Sequence, residues 1–334
     1  MSAAGASLSA ASGRRGRRPG ATERPMPAAR AGRSAAGRES SQPARGARVR
    51  VRWPLVKLRL YHHRDGARIA YRESGSGPPL ALLHSATLSH KEFEPVVEGL
   101  ADRFRVVLPD LPLHGDSEDR PRHPYTPDWF AEVIGGFCHE VLGPRPLVGG
   151  HGLGAEILLH AVARGEIAPA RLILLPNRLH RRAEHRQLRR GFRIAARAGG
   201  VPGLDHVLSH GARLVFRPDL GLRLSSRGAP GARDLVRHAF ADVGGNAQRA
   251  RSWARFAARW PSGAQHDLLD LYPQLTMPVL LLWADGDRMH PLAVAEEARE
   301  LIAGAVLRVL AGTGYLIAYD DPVGVGRELA AFCG

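Results

Sequence analysis

The chain predicts an α/β fold, an eight-stranded, mostly parallel sheet flanked by helices with an inserted helical cap. Three observations predict it. Short apolar runs alternate with helix-patterned stretches, most of the runs are apolar throughout rather than at every second residue, and the alternation breaks at about residues 178–272. Continuous apolar strands suit a sheet covered on both faces.

Residues 1–52 are rich in Ala, Gly, Ser, Arg and Pro, with almost no large apolar side chain before Val49. Such a segment cannot bury enough surface to offset its ordering entropy, so it is expected to be a disordered basic tail. Its acid-poor, Arg-rich composition fits an organelle transit peptide, an inert tail or a start assigned too far upstream. Residues 53–334 form the folded domain. Val56–His62 and Ala67–Arg72 alternate like an antiparallel pair joined by the turn Arg64-Asp65-Gly66. The remaining strands are expected at Leu80–Leu83, Val106–Leu108, Pro146–Gly149, Leu172–Leu175, Val279–Leu282 and Val306–Leu310. Helices are expected at Lys91–Asp102, Pro127–Leu142, Leu153–Arg164, Leu292–Ala303 and Pro322–Phe332. Inside the cap, Ala183–Ala198, Ala232–Val243 and Ala247–Trp260 are helix-patterned, and Trp253, Phe256 and Trp260 fall at i, i+3, i+7 as an apolar stripe facing the core.

The net charge of +15 is unevenly placed. Residues 1–52 hold 12 Arg against 2 Glu, and residues 178–270 hold 18 Arg against 7 acidic residues, so the rest of the chain is acidic. Lysine occurs only at Lys57 and Lys91, an Arg-over-Lys bias that fits a GC-rich genome and argues against a specific nucleic-acid partner. No apolar window reaches membrane-spanning length, and no apolar stretch follows the N-terminus, so a soluble cytoplasmic protein is expected. Cys138 and Cys333 are too few for a disulfide framework and lie in no metal-ligand spacing; no metal or cofactor is expected. The oligomeric state is not legible.

Gly150-His151-Gly152-Leu153-Gly154 follows a predicted strand and opens a predicted helix, the setting of a nucleophile elbow. Upstream lie Leu82-Leu83-His84-Ser85, approached by Glu73-Ser74-Gly75-Ser76-Gly77, and then Asp110-Leu111-Pro112-Leu113-His114-Gly115-Asp116-Ser117. Downstream lie Trp283-Ala284-Asp285-Gly286-Asp287 and Gly312-Thr313-Gly314-Tyr315. In this order the strings resemble those of the α/β-hydrolase superfamily over nearly all of residues 57–333. The resemblance implies a Ser-His-Asp triad under a cap that sets specificity. Asp287 takes the acid position, with Asp285 as the fallback; Gly152 stands at the nucleophile position and Tyr315 at the histidine position.

Glycine has no side chain to acylate, and no Gly-x-Ser-x-Gly occurs elsewhere. A phenol, with an ordinary pKa near 10, is a poor base at neutral pH. His84-Ser85 replaces the family's His-Gly, putting a side chain where backbone must approach an oxyanion. The expectation is a pseudo-hydrolase, a small-ligand or partner binder with a pocket under the cap lined by His84, Ser85, His151 and Leu153 beside Gly152, Asp287 and Tyr315. The cap arginines are either an anion clamp or solvated surface. Two further readings stay open. One is an active enzyme of the family, a lyase, isomerase or unorthodox ester hydrolase, in which Asp287 works with Tyr315 or a histidine such as His84, His114, His151 or His290. The other is a nucleic-acid or membrane binder driven by the tail.

Overall fold

The computed structural model describes residues 57–334 apart from 121, 182–185, 199–200, 202, 205, 208–209, 212–226, 230, 244–246 and 261–266. The expected tail at 1–52 lies outside the described residues, as do parts of the cap.

Eight strands form one sheet: β1 (Arg59–His62), β2 (Arg68–Ser74), β3 (Pro79–Leu83), β4 (Arg105–Pro109), β5 (Leu147–Gly150), β6 (Arg171–Leu174), β7 (Val279–Ala284) and β8 (Val306–Leu310). Their order is β1-β2-β4-β3-β5-β6-β7-β8. β2 pairs antiparallel with β1 and β4, and every pairing from β4 to β8 is parallel. The apolar runs are buried on both faces as their composition requires. Leu80 and Leu82 enter one core cluster while Ala81 and Leu83 enter the other, and Leu280 and Leu282 part from Leu281 and Trp283 in the same way.

Helices α1 (Pro127–Phe137) and α2 (Leu153–Ala163) cover one face, and α9 (Pro322–Cys333) covers the other. Thr126 caps α1 by accepting from the Trp129 N–H, with Pro127 at its first turn. Between β6 and β7 the chain gives α3 (Arg186–Ala198), α4 (Ala232–Val243), α5 (Ala247–Arg259) and α6 (Asp267–Leu271). α7 (Leu292–Leu301) and the short α8 (Ile317–Asp320) complete the set among the described residues. The Trp253, Phe256 and Trp260 stripe is buried, with Phe256 and Trp260 edge-on to Phe130 at 5.6 and 5.5 Å. The Trp260 indole N–H also donates to the buried Glu156 on α2 at 2.8 Å.

The helix expected at Lys91–Asp102 is instead two single 3₁₀ turns, His90–Glu92 and Glu94–Val96, followed by further turns. Pro95 explains the difference, since it supplies no N–H and its ring blocks a continuing α-helix. This correction matters below, because the first turn buries Glu92 to 1 % exposure.

Candidate functional site at the head of the sheet

The chain leaves β5 through His151 and Gly152 and turns at once into α2. Gly152 has φ 49° and ψ −113°, a backbone region where a side chain is strained and glycine is not. The turn is pinned on three sides: the His151 N–H donates to the Leu83 carbonyl, the Gly152 N–H to Pro176 and the Gly154 N–H to His151. Space is as restrictive as conformation. A Cβ on residue 152 would lie 2.3 Å from both Ser85 Oγ and Tyr315 Oη. These two hydroxyls are hydrogen-bonded to each other and fill the space that a side chain on residue 152 would take.

Tyr315 is delivered by the loop after β8. Asp285 accepts from the Gly312 N–H and Asp320 from the Gly314 N–H, at 2.8 and 2.7 Å, and so fix that loop. Burial, reinforced by the Glu92 carboxylate, pushes the Tyr315 phenol well above its ordinary value of 10, leaving it protonated at neutral pH. Asp285, the fallback acid, is exposed and serves the loop, whereas Asp287 is buried.

Asp287 is paired with His290 rather than with the residue at 315. Its carboxylate accepts from the His290 Nδ1–H at 2.9 Å and from the Met289 and His290 backbone N–H groups. Burial pulls the His290 imidazole below its ordinary value, with Asp287 acting against that shift. The His290 ring stacks on Tyr315 at 4.9 Å between centroids.

His151 lies on the same tyrosine, 4.1 Å between ring centroids. Its Nδ1 is bonded to Glu92, whose other oxygen accepts the Ser85 N–H at 2.7 Å. That bond occupies the Ser85 amide. Sequence reasoning missed Glu92, although it sits four residues before Val96 and eight before Leu100, on the buried side of the apolar pattern.

His84 is fully buried, its Nδ1–H donating to the Ser85 carbonyl and its Nε2 accepting from the Leu111 N–H. No nitrogen of His84 remains for a ligand, and burial lowers its pKa. His84 therefore positions the Ser85 and Leu111 backbones. Leu153 packs into the core. His114 is buried 4.8 Å from the Trp253 ring, and burial pushes its imidazole well down. His90, Asp110 and Asp116 cluster closely enough to hold a metal ion, but the Arg72 guanidinium already donates to both aspartates and the His90 Nδ1–H to Asp110. The structure thus brings Ser85, His151, Gly152, Asp287 and Tyr315 together, adds Glu92 and His290, and assigns His84 and Leu153 to the scaffold. Two imidazoles, each paired with a carboxyl group, thus flank the Tyr315 ring.

An α/β sheet in this strand order, with an elbow at β5 and a helical segment after β6, defines the class. Residues 80–328 match the model of the alpha/beta hydrolase family, and the chain belongs to that family. It is 27 % identical over 251 residues to the magnesium-chelatase 30 kDa subunit of Rhodobacter capsulatus, covering 72 % of this chain and 81 % of that protein. It is 29 % identical over 240 residues to the pimeloyl-[acyl-carrier protein] methyl ester esterase of Methylococcus capsulatus, covering 70 % and 85 %. Among solved structures it resembles an esterase from Thermogutta terrifontis, with a TM-score of 0.68, 21 % identity, and 83 % and 98 % of the two chains covered. Among the described residues, no helix is long and apolar enough to cross a membrane.

Proposed function

We propose that this protein is a pseudo-hydrolase of the family, one that binds a small molecule at the head of its sheet and forms no acyl-enzyme there. In this reading Gly152 stands at the nucleophile position, Tyr315 at the histidine position and Asp287 at the acid position, with residues about 178–272 as the cap. One observation carries it: a side chain at 152 would collide with Ser85 and Tyr315, which hold that space between them. The protonated phenol and the engaged Ser85 amide support it, since neither a base at 315 nor an oxyanion donor at 85 is on offer. On α3, Arg190, Arg193 and Arg197 are exposed, which favours solvated surface over an anion clamp.

The test is exposure of the purified full-length chain to a fluorophosphonate and to 4-nitrophenyl butyrate. The intact mass is expected to stay unchanged and hydrolysis to stay within roughly 10³-fold of the uncatalysed rate, the ceiling that binding and an oxyanion hole together leave when a triad is dismantled. A stoichiometric adduct on any residue of the site, Ser85 included, overturns the proposal.

A second reading, a proton-transfer enzyme of lyase or isomerase type, is favoured by the two carboxylate-paired imidazoles beside Tyr315. Turnover of a non-ester substrate that disappears in Glu92→Gln would establish it over the silent binder.

A further inference from the structure

We propose that His151 Nε2, oriented by Glu92, is the acceptor through which the site takes hold of a neutral, hydroxyl-bearing small molecule. The inference deepens the preceding reading and rests on it for the location of the site. The His151 ring is wholly buried, and its Nδ1 is committed to the Glu92 carboxylate, which can only accept. In the neutral ring the proton therefore lies on Nδ1 and the lone pair on Nε2. That nitrogen has no hydrogen-bond partner among the described residues. A buried acceptor left unmade costs on the order of 1–3 kcal/mol, so such an atom calls for an explanation.

The explanation has to account for the wiring around it. Glu92 is itself buried and bonded to the Ser85 N–H, so a carboxyl group has been brought in from the turn after β3 to reach the elbow. A carboxylate on Nδ1 fixes the ring's orientation and its tautomer, the arrangement by which an imidazole presents Nε2 to a reacting or ligated hydroxyl. Here it is supplied by a loop that the sequence motifs do not mark.

Charge selects the ligand class. Glu92 is bonded to the His151 ring itself and Asp287 to the His290 ring, both rings lying against Tyr315, so the groups nearest the free nitrogen are acidic. An anion would meet repulsion there, whereas a neutral O–H donor satisfies Nε2 without it. The occupant is therefore an alcohol or phenol rather than a carboxylate or phosphate.

The experiment is long-range ¹H–¹⁵N correlation on the full-length chain with ¹⁵N-labelled histidine, the His151 signals being assigned by their loss in His151→Gln. Phenol is the probe. Expected are an Nδ1–H tautomer for His151 at neutral pH and a shift of its Nε2 resonance on phenol addition. Glu92→Gln abolishes that shift while His139→Gln, at an exposed position just after α1, leaves it in place. An Nε2–H tautomer, a doubly protonated ring, or an Nε2 resonance unmoved by phenol up to its solubility limit overturns the proposal. The wild-type spectra decide even if Glu92→Gln fails to fold. Fluorophosphonate labelling would end the pseudo-hydrolase reading without touching this result, so the two failures are told apart.

Discussion

Two imidazole–carboxylate pairs meet at Tyr315, and they are built in opposite ways. Asp287 and His290 are three residues apart, and one turn supplies the carboxylate with the ring N–H and two backbone N–H donors. Glu92 and His151 are 59 residues apart and join the turn after β3 to the elbow after β5. The first pair is satisfied by its own short segment. The second exists only when two separate loops are in register, so it reports on the assembled sheet head. Ion pairs of similar appearance can thus differ in what they demand of the fold.

The largest expected effect tests the point where the two pairs converge. Gly152→Ala should cost roughly 3–5 kcal/mol, combining backbone strain with overpacking against Ser85 and Tyr315. Urea denaturation measures it, and adding Ser85→Gly should recover part of the loss. An unchanged midpoint would mean that the elbow relaxes and that neither pair is held as described.

Next in size is the contrast between the carboxylates. Glu92→Ala strands the His151 Nδ1–H and the Ser85 N–H in the interior and should cost about 3 kcal/mol. Asp287→Ala should cost less, about 1–2 kcal/mol, because its donors all lie on one short segment that carries the exposed Met289 and can rearrange without disturbing a second loop. Equal losses in the two variants would erase the distinction drawn between them.

A smaller effect should appear on acidification. Burial holds His84, His114 and His290 below their ordinary value of 6.5, so the unfolded chain takes up protons first. The stability they favour is present above pH 6.5 and is lost as the pH falls below it, at up to about 1.4 kcal/mol per pH unit for each proton. His90, raised by Asp110, works the other way: its contribution is present below 6.5 and is lost as the pH rises through its elevated value. Asp110, held at about 2, adds stability above its ordinary 3.8 that disappears as the pH falls towards 2. Denaturation midpoints at pH 7.5 and 5.5 should therefore differ, and His114→Asn should flatten the difference.

The smallest change expected is that of Tyr315→Phe, which removes one hydroxyl contact with Ser85 and should shift stability by about 1 kcal/mol. A loss of several kcal/mol would place the phenol, rather than the carboxylates, at the centre of the arrangement.

The sheet was legible because its strands carry their own signal: runs such as Val279–Leu282 are apolar without interruption, and only burial on both faces suits them. The elbow was legible because glycines at 150 and 154 flank a turn at a fixed spacing. The wiring around it was not. His84 has the chemistry of a ligand-binding residue, yet which backbone groups consume its nitrogens depends on how the strand ends are placed in space. Glu92 sits in a stretch whose periodicity suggests a surface helix, and Pro95 alone hints that the pattern is broken. Long-range partners leave no local imprint, so Glu92 with His151 stayed hidden, while Asp287 with His290 sat within a single turn and could be weighed.

The Ser85 and Tyr315 hydroxyls also bear on how this sequence can change. A side chain at residue 152 fits only after both neighbours have been trimmed or swapped. Substitutions at 85, 152 and 315 are therefore coupled: a change at the turn is tolerated or not according to what stands at the other two positions.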